Sequence, residues 1–398
     1  MDYGTDRAYA EISLSNLASN YKNICAHVKN AAVMGIVKCN AYGHGAVMVA
    51  RELISLGCRY LALATIEEAA ELRENGIPAP LLILGPVASE NADYVIKYGV
   101  ALAVFDYDYA KAFSDAAEER GKKIPVHLKL DTGMSRYGIR TGGRVLGAVD
   151  EILKIASLGG LEIEGIFSHM PCGDDSENDG FNKAELREFS SVLKSAEEKG
   201  IRFTYRHIAS SGSVISYPES HFDMVRPGIL LYGYFADKSQ AGSLPLKPVM
   251  QLKTRVMQIK TLPEGTGVSY GRTFVADRDI KAAVVGIGYG DGLMRASSNK
   301  AHMLVRGKRA KILGRVCMDA VMIDITGIEG VKVGDTVTVF GDDCGAHLPL
   351  YDYLDAVGTI SYEFLSGIGI RVPRIYVKND RVIARQDAFS KTTILKDE

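Results

Sequence analysis

The sequence predicts an α/β chain: an N-terminal (β/α)8 TIM-type barrel over residues 1–240, followed by a C-terminal all-β domain over residues 241–398. Three observations predict it. Short apolar runs alternate eight times with helical stretches, glycines stand where those helices should stop, and the rhythm changes to period two after Pro245 and Pro248. A chain of 398 residues also exceeds one ordinary core and suits two domains.

The apolar runs lie near Ala32–Val37, Tyr60–Ala64, Leu81–Leu84, Val100–Phe105, Val126–Leu130, Ile163–Phe167, Phe203–Ile208 and Met224–Arg226. They are short and mostly unalternating, as expected of parallel strands covered on both faces. Between them, Thr65 with Glu68 reads as a capping box, and Ser89 and Asp106 as helix N-caps. Gly57, Gly76, Gly99, Gly121 and Gly200 stand at helix ends, where a left-handed residue terminates the spiral. Beyond residue 240, β-rich stretches at Met250–Thr261, Lys281–Ile287, Arg309–Thr326 and Asp335–Phe340 alternate apolar and polar residues between turns.

Composition narrows the function classes. Lys plus Arg (47) nearly balances Asp plus Glu (48), so no global field draws nucleic acid or an anionic membrane, and a small ligand held by local groups is expected. Met1–Glu11 lacks the apolar stretch of a signal peptide, and no apolar run has membrane-spanning length. Cysteines 25, 39, 58, 172, 317 and 344 are scattered without metal-ligand spacing, so neither a disulfide framework nor a zinc site is expected, and a reduced cytoplasm fits.

Barrel enzymes place their chemistry at the C-terminal ends of their strands. Those ends carry Lys38, then Lys129 with Asp131 and Arg136, then His169, Ser210–Ser211–Gly212, and Arg226 with Gly228. Taken singly, each has a plain reading: a solvated lysine, a hydrogen-bonded structural histidine, an inter-strand arginine, a helix cap. Their coincidence at one mouth favours chemistry. A partly desolvated lysine forms Schiff bases, and a Ser/Gly amide cradle binds phosphate. An aldehyde cofactor carrying a phosphate needs both, and pyridoxal phosphate is the common one.

Val37-Lys38-Cys39-Asn40-Ala41-Tyr42-Gly43-His44-Gly45 resembles the cofactor-lysine signature of alanine racemases. Further segments resemble the family in the same order: Leu130–Arg136, Phe167–His169, Val225–Ile229, Leu231–Gly233, Val268–Gly271, Gly288–Tyr289, Arg315–Asp319, Ile360–Glu363 and Arg371–Arg374. The resemblance spans almost the whole chain and implies a cytoplasmic pyridoxal 5′-phosphate enzyme that interconverts L- and D-alanine, supplying D-alanine for peptidoglycan.

It also implies roles. Lys38 would hold the cofactor and act as the base on one face, with Tyr270 as the base on the other. His169 and Arg226 would form the network that perturbs the tyrosine, and Arg226 would face the pyridine nitrogen. A guanidinium there cannot readily hand over a proton, which keeps the ring a weaker electron sink and limits transamination. Tyr42, Ser211, Gly228, Ile229 and Tyr362 would hold the phosphate. Arg136, the Met318 amide and Tyr289 would meet the substrate, and Lys129 matches a position open to carbamylation. No metal is implied. A head-to-tail homodimer would let each site borrow Tyr270, Tyr289 and Met318 from its partner.

Rival readings are a serine or broader-specificity racemase, a non-catalytic pyridoxal-phosphate carrier and a fold-related decarboxylase. Tyr362 should narrow the pocket toward alanine. The β domain with Tyr270 speaks against a carrier, and Arg226 against a decarboxylase. Gly286-x-Gly288-x-Gly290 has the wrong spacing for a dinucleotide loop.

Overall fold

The computed structural model describes residues 6–388 and the backbone of 393–394. The ends of the two expected domains, residues 1–5 and the remaining residues after 388, lie outside the described residues. By internal contacts the chain divides into two units. One holds Leu17–Ala41 and Ala46–Lys247; the other holds the segment up to Asn16, Tyr42–Gly45 and the chain from Pro248 onward.

The first unit is the barrel. Its strands are Ala32–Val33 with Gly35–Ile36, then Leu61–Leu63, Leu81–Ile83, Ala101–Val104, Ile124–Asp131, Leu161–Phe167, Tyr205–His207 and Met224–Val225. Each sits inside or beside an apolar run of the sequence. Neighbours pair in parallel from Gly35–Ile36 round to Tyr205–His207, and Met224–Val225 pairs back onto Ala32–Val33. The last seam, between the seventh and eighth strands, is thin. It is closed by the bridge Ser210↔Arg226 and by backbone bonds from Arg226 N to Ala209 O (2.9 Å) and Asp223 N to Arg206 O (3.1 Å). Leu61–Leu63, Leu81–Ile83 and Ala101–Val104 are buried at every position, which is why they show no alternation in sequence.

Helix ends follow local chemistry. Gly99 stops Ala92–Tyr98 at φ 56, its N–H on the Ile96 carbonyl at 3.2 Å. The other expected stops, Gly57, Gly76, Gly121 and Gly200, also have positive φ. Asp106 Oδ1 caps Tyr107–Glu118 by accepting from Tyr109 N at 2.7 Å. Two expectations need correcting. Thr65 Oγ1 does accept from Glu68 N (3.3 Å), but the Glu68 carboxylate takes the N–H groups of Ala64 and Cys39 instead of closing a box on Thr65. Ser89 is the first residue of a 3₁₀ turn, Ser89–Asn91, and caps nothing with its side chain.

In the second unit, Met250–Leu262 pairs with Ile280–Val285, which pairs with Val321–Asp324. The path continues through Lys308–Leu313 and His302–Val305 to Thr336–Asp343, which pairs back with Met250–Leu262. All these pairings are antiparallel, and closing the ring leaves these six strands no open edge. Ala8–Ser13, at the start of the chain, joins this unit as a strand, antiparallel to Met250–Leu262 and parallel to Arg374–Lys378. Strands make up most of the unit, with helices among them. Leu350–Val357 and Ser361–Ser366 are helices, the first burying Leu350, Tyr353 and Leu354 on one face and ending at Gly358 with φ 75. Among the described residues no helix is long and apolar enough to cross a membrane.

Candidate active site

Lys38 stands where the first barrel strand ends, and the chain then makes an unusual turn. Cys39, Asn40, Ala41 and Tyr42 all have φ between 51 and 54, a run of non-glycine residues in the left-handed region. Each costs about 1–2 kcal/mol relative to a right-handed residue. The turn is held by Ala41 N on Val37 O (2.8 Å), Cys39 N on Glu68 Oε1 (2.6 Å) and Ala46 N on Asn40 Oδ1 (2.8 Å). Strain over-determined in this way presents one side chain in one direction. Lys38 is half-buried, and burial, followed by the charge of Arg136, lowers its pKa below the usual ammonium range.

Arg226 is the hub of the barrel mouth. It is 5% exposed, and its Nη1 donates to His207 Nδ1 at 2.8 Å. Its Nη2 donates to Ser168 O (2.7 Å), Ile208 O (3.1 Å) and His169 Nδ1 (3.4 Å). A guanidinium has no acceptor, so both histidines must present an unprotonated Nδ1 and carry their proton on Nε2. Burial, then the charge of Arg226, pushes the pKa of each far below the ordinary imidazole value, which keeps them neutral. His207 Nε2–H therefore donates to His127 Nδ1 at 2.8 Å. That leaves the His127 proton on Nε2, 3.4 Å from the Tyr60 hydroxyl and 3.6 Å from Glu164 Oε2. Tyr60 in turn donates to Glu164 at 3.1 Å. The barrel thus contains a hydrogen-bond chain with one direction, from Arg226 to Glu164. His207, His127, Tyr60 and Glu164 were not among the expected site residues. Their signal was polar residues inside otherwise apolar strands, as in Val126-His127-Leu128.

Lys129 lies in the same mouth, 3% exposed, its Nζ 5.2 Å from the centre of the Phe167 ring. Burial, then Arg226 and Arg136, lowers its pKa to about 8. Its Nζ and the Oε2 of buried Glu185 have no hydrogen-bond partner among the described residues. Arg136 follows the fifth strand and is exposed, yet its charge reaches Lys38, Lys129 and His169. Lys38, Lys129, Arg136 and Arg226 all act on His169, so the mouth is a cluster of cationic groups around neutral imidazoles.

Ser211 opens the helix Ser211–Ser216 beside the Ser210↔Arg226 bridge. Its hydroxyl is buried without a hydrogen-bond partner among the described residues, next to first-turn amides. That arrangement fits phosphate oxygens. Gly228 and Ile229 start the short helix Gly228–Leu231 and are buried.

The remaining expected residues belong to the second unit. Tyr42 and Tyr362 face each other there, ring centres 6.0 Å apart and tilted by 57°. Tyr270, Tyr289 and Met318 are 71%, 44% and 52% exposed, high for large apolar side chains. The expected residues therefore form two groups, Lys38, Lys129, Arg136, His169, Ser211, Arg226, Gly228 and Ile229 in one unit and the other five in the second. Among the described residues no group of three or more His, Cys, Asp or Glu is placed to hold a metal ion.

Comparison with known proteins covers both units. Residues 12–236 match the family described as alanine racemase, N-terminal domain, and residues 249–376 match alanine racemase, C-terminal domain. Alanine racemase 2 of Caldanaerobacter subterraneus subsp. tengcongensis is 43% identical over 373 residues, 94% of this chain and 95% of its own. Alanine racemase of Clostridium perfringens is 40% identical over 384 residues, 96% of this chain and 98% of its own. Among solved structures, alanine racemase of Clostridium difficile 630 superposes with a TM-score of 0.92 at 32% identity, covering 97% of this chain and 100% of that one. Alanine racemase from Bartonella henselae with covalently bound pyridoxal phosphate gives 0.83 at 29% identity, covering 94% and 100%.

Proposed function

We propose, for a chain that belongs to the alanine racemase family, that its pyridoxal-phosphate-dependent interconversion of L- and D-alanine runs on two bases, Lys38 and Tyr270. The observation that carries this is the convergence of Lys38, Arg136, His169 and Arg226 at one end of the barrel, with Lys38 depressed in pKa by burial and by Arg136. When bound, pyridoxal 5′-phosphate withdraws electrons from the substrate α-carbon and makes its proton removable.

Each residue then has a physical task. Lys38 holds the cofactor covalently and, being depressed in pKa, spends more of its time as a neutral amine able to move a proton on one face. Tyr270 serves the opposite face. Arg226 would meet the pyridine nitrogen as a charged donor, and its fork is fixed by Ser168, His169, His207 and Ile208. Ser211, Gly228, Ile229, Tyr42 and Tyr362 hold the phosphate, and the unpartnered Ser211 hydroxyl fits that role. Arg136, Tyr289 and the Met318 amide orient the substrate carboxylate. Lys129, its pKa lowered to about 8, has a larger share of the neutral amine that carbamylation requires than an ordinary lysine. The enzyme works as a cytoplasmic homodimer with composite sites and supplies D-alanine for peptidoglycan.

The test is incubation of the holoenzyme with each alanine enantiomer in deuterated water. D-alanine carrying α-deuterium is expected from L-alanine. Lys38→Ala should abolish both exchange and the borohydride-reducible cofactor adduct, and an adduct retained in that variant would remove Lys38 from the reaction.

A further inference from the structure

The turn that carries Tyr270 is both strained and pinned. Ser269 sits at φ 63, ψ −173, a region that essentially only glycine enters freely. Gly271 and Arg272 follow with φ of 70 and 46. A backbone of this kind persists only where its surroundings over-determine it.

Ser269 itself is held by one loop, residues 314–318. Ser269 Oγ donates to Arg315 O at 2.6 Å, and Cys317 Sγ lies 3.3 Å from the same hydroxyl oxygen. The same thiol also lies 3.7 Å from Arg315 O, so Ser269, Cys317 and the Arg315 carbonyl form one hydrogen-bonded triangle. The fit leaves no slack. A methyl on Gly314 would lie 2.5 Å from the backbone oxygen of Val268 and 2.9 Å from Ser269 Cβ. The same loop seats the neighbouring turn, through Tyr289 N on Cys317 O (2.9 Å) and Gly290 N on Met318 O (2.9 Å). Tyr270, Tyr289 and Met318 are therefore mounted on one short stretch of backbone, and Ser269 is the side chain that ties Tyr270 to it.

We propose that Ser269, backed by Cys317, is a positioning residue for Tyr270: its hydroxyl locks the strained turn that aims the phenol. The proposal rests on the reading of Tyr270 as a base. A glycine at 269 would adopt the same φ without strain but would release the turn. A serine accepts the strain and holds the turn by its hydroxyl.

The experiment compares Ser269→Gly, Ser269→Ala and Tyr270→Phe as holoenzymes, following α-deuterium uptake from L- and D-alanine separately. Cofactor affinity is titrated alongside by fluorescence. The glycine variant relieves backbone strain, so it is expected to fold. Both Ser269 variants should slow exchange roughly 10- to 100-fold, but only from the enantiomer that Tyr270→Phe also slows, with cofactor affinity kept within about twofold. Equal slowing from both enantiomers, or none, would overturn the proposal. Selective loss in Tyr270→Phe without it in Ser269→Gly removes only the clamp, whereas equal losses in Tyr270→Phe remove the second base and the clamp with it.

Discussion

Arg226 and Glu185 show how burial decides the state of single residues in this barrel. Arg226 is nearly inaccessible, and the hydrogen-bond partners of its fork are carbonyls and neutral imidazoles, so its charge is held by directed hydrogen bonds and not by a carboxylate. Glu185 has the opposite fate. Burial raises its pKa from 4.5 to about 7, with a hydrogen bond from Thr132 pulling the other way. Between those values the folded chain keeps a proton that the unfolded chain has released. Stability therefore falls as pH rises through this window and levels off above pH 7. Glu185→Gln should then stabilise the protein by about 3 kcal/mol at pH 8 and by less than about 1 kcal/mol at pH 5. Thermal unfolding of both proteins at the two pH values checks this; a gain of equal size at both would mean the carboxyl is not the cause.

At the scale of elements, the left-handed turn after Lys38 stands out because it contradicts residue preference. Four successive side-chain-bearing residues adopt a conformation that L-residues avoid. Cys39 is exposed, so replacing it with glycine removes strain with little loss of packing. Cys39→Gly should raise stability by about 0.5–1 kcal/mol, after the larger unfolded-state entropy of glycine is deducted. Denaturant titration of the cofactor-free protein measures it, and destabilisation would show that the turn stores no strain at this position. The turn was not legible in the sequence, because Cys-Asn-Ala-Tyr carries no glycine until Gly43. The strands themselves were legible, since fully buried parallel strands must be short apolar runs. The helices Leu350–Val357 and Ser361–Ser366, 8 and 6 residues long, are too short to show a helical period in the sequence.

At the scale of the whole molecule, the proposed site residues fall into two groups, one per unit, and the proposed dimer has each site take Tyr270 from the partner. Mixing subunits tests this directly. Lys38→Ala and Tyr270→Phe homodimers should each be nearly inactive. After dissociation and reassociation as a mixture they should recover roughly a quarter of wild-type activity, because half the dimers are hybrids and each hybrid contains one intact site of two. No recovery would show that each barrel uses its own tyrosine, or that the protein is not a dimer of this kind.

The sequence by itself determined the barrel, the β-rich second part and the polar residues at the strand ends. All of these follow from local rules: buried strands are apolar, helices stop at glycine, and chemistry sits where strands end. Tertiary structure decided what depends on residues far apart in the chain. Ala8–Ser13 became a strand of the second unit because its partners lie at Met250–Leu262 and Arg374–Lys378. The path from Arg226 through His207 and His127 to Glu164 exists because barrel closure brings four strands' inward side chains into line. The strain at Ser269 is tolerated because Arg315 and Cys317 reach it from the loop between Lys308–Leu313 and Val321–Asp324. No local preference encodes such pairings, since each is stabilised only once the distant partner is in place.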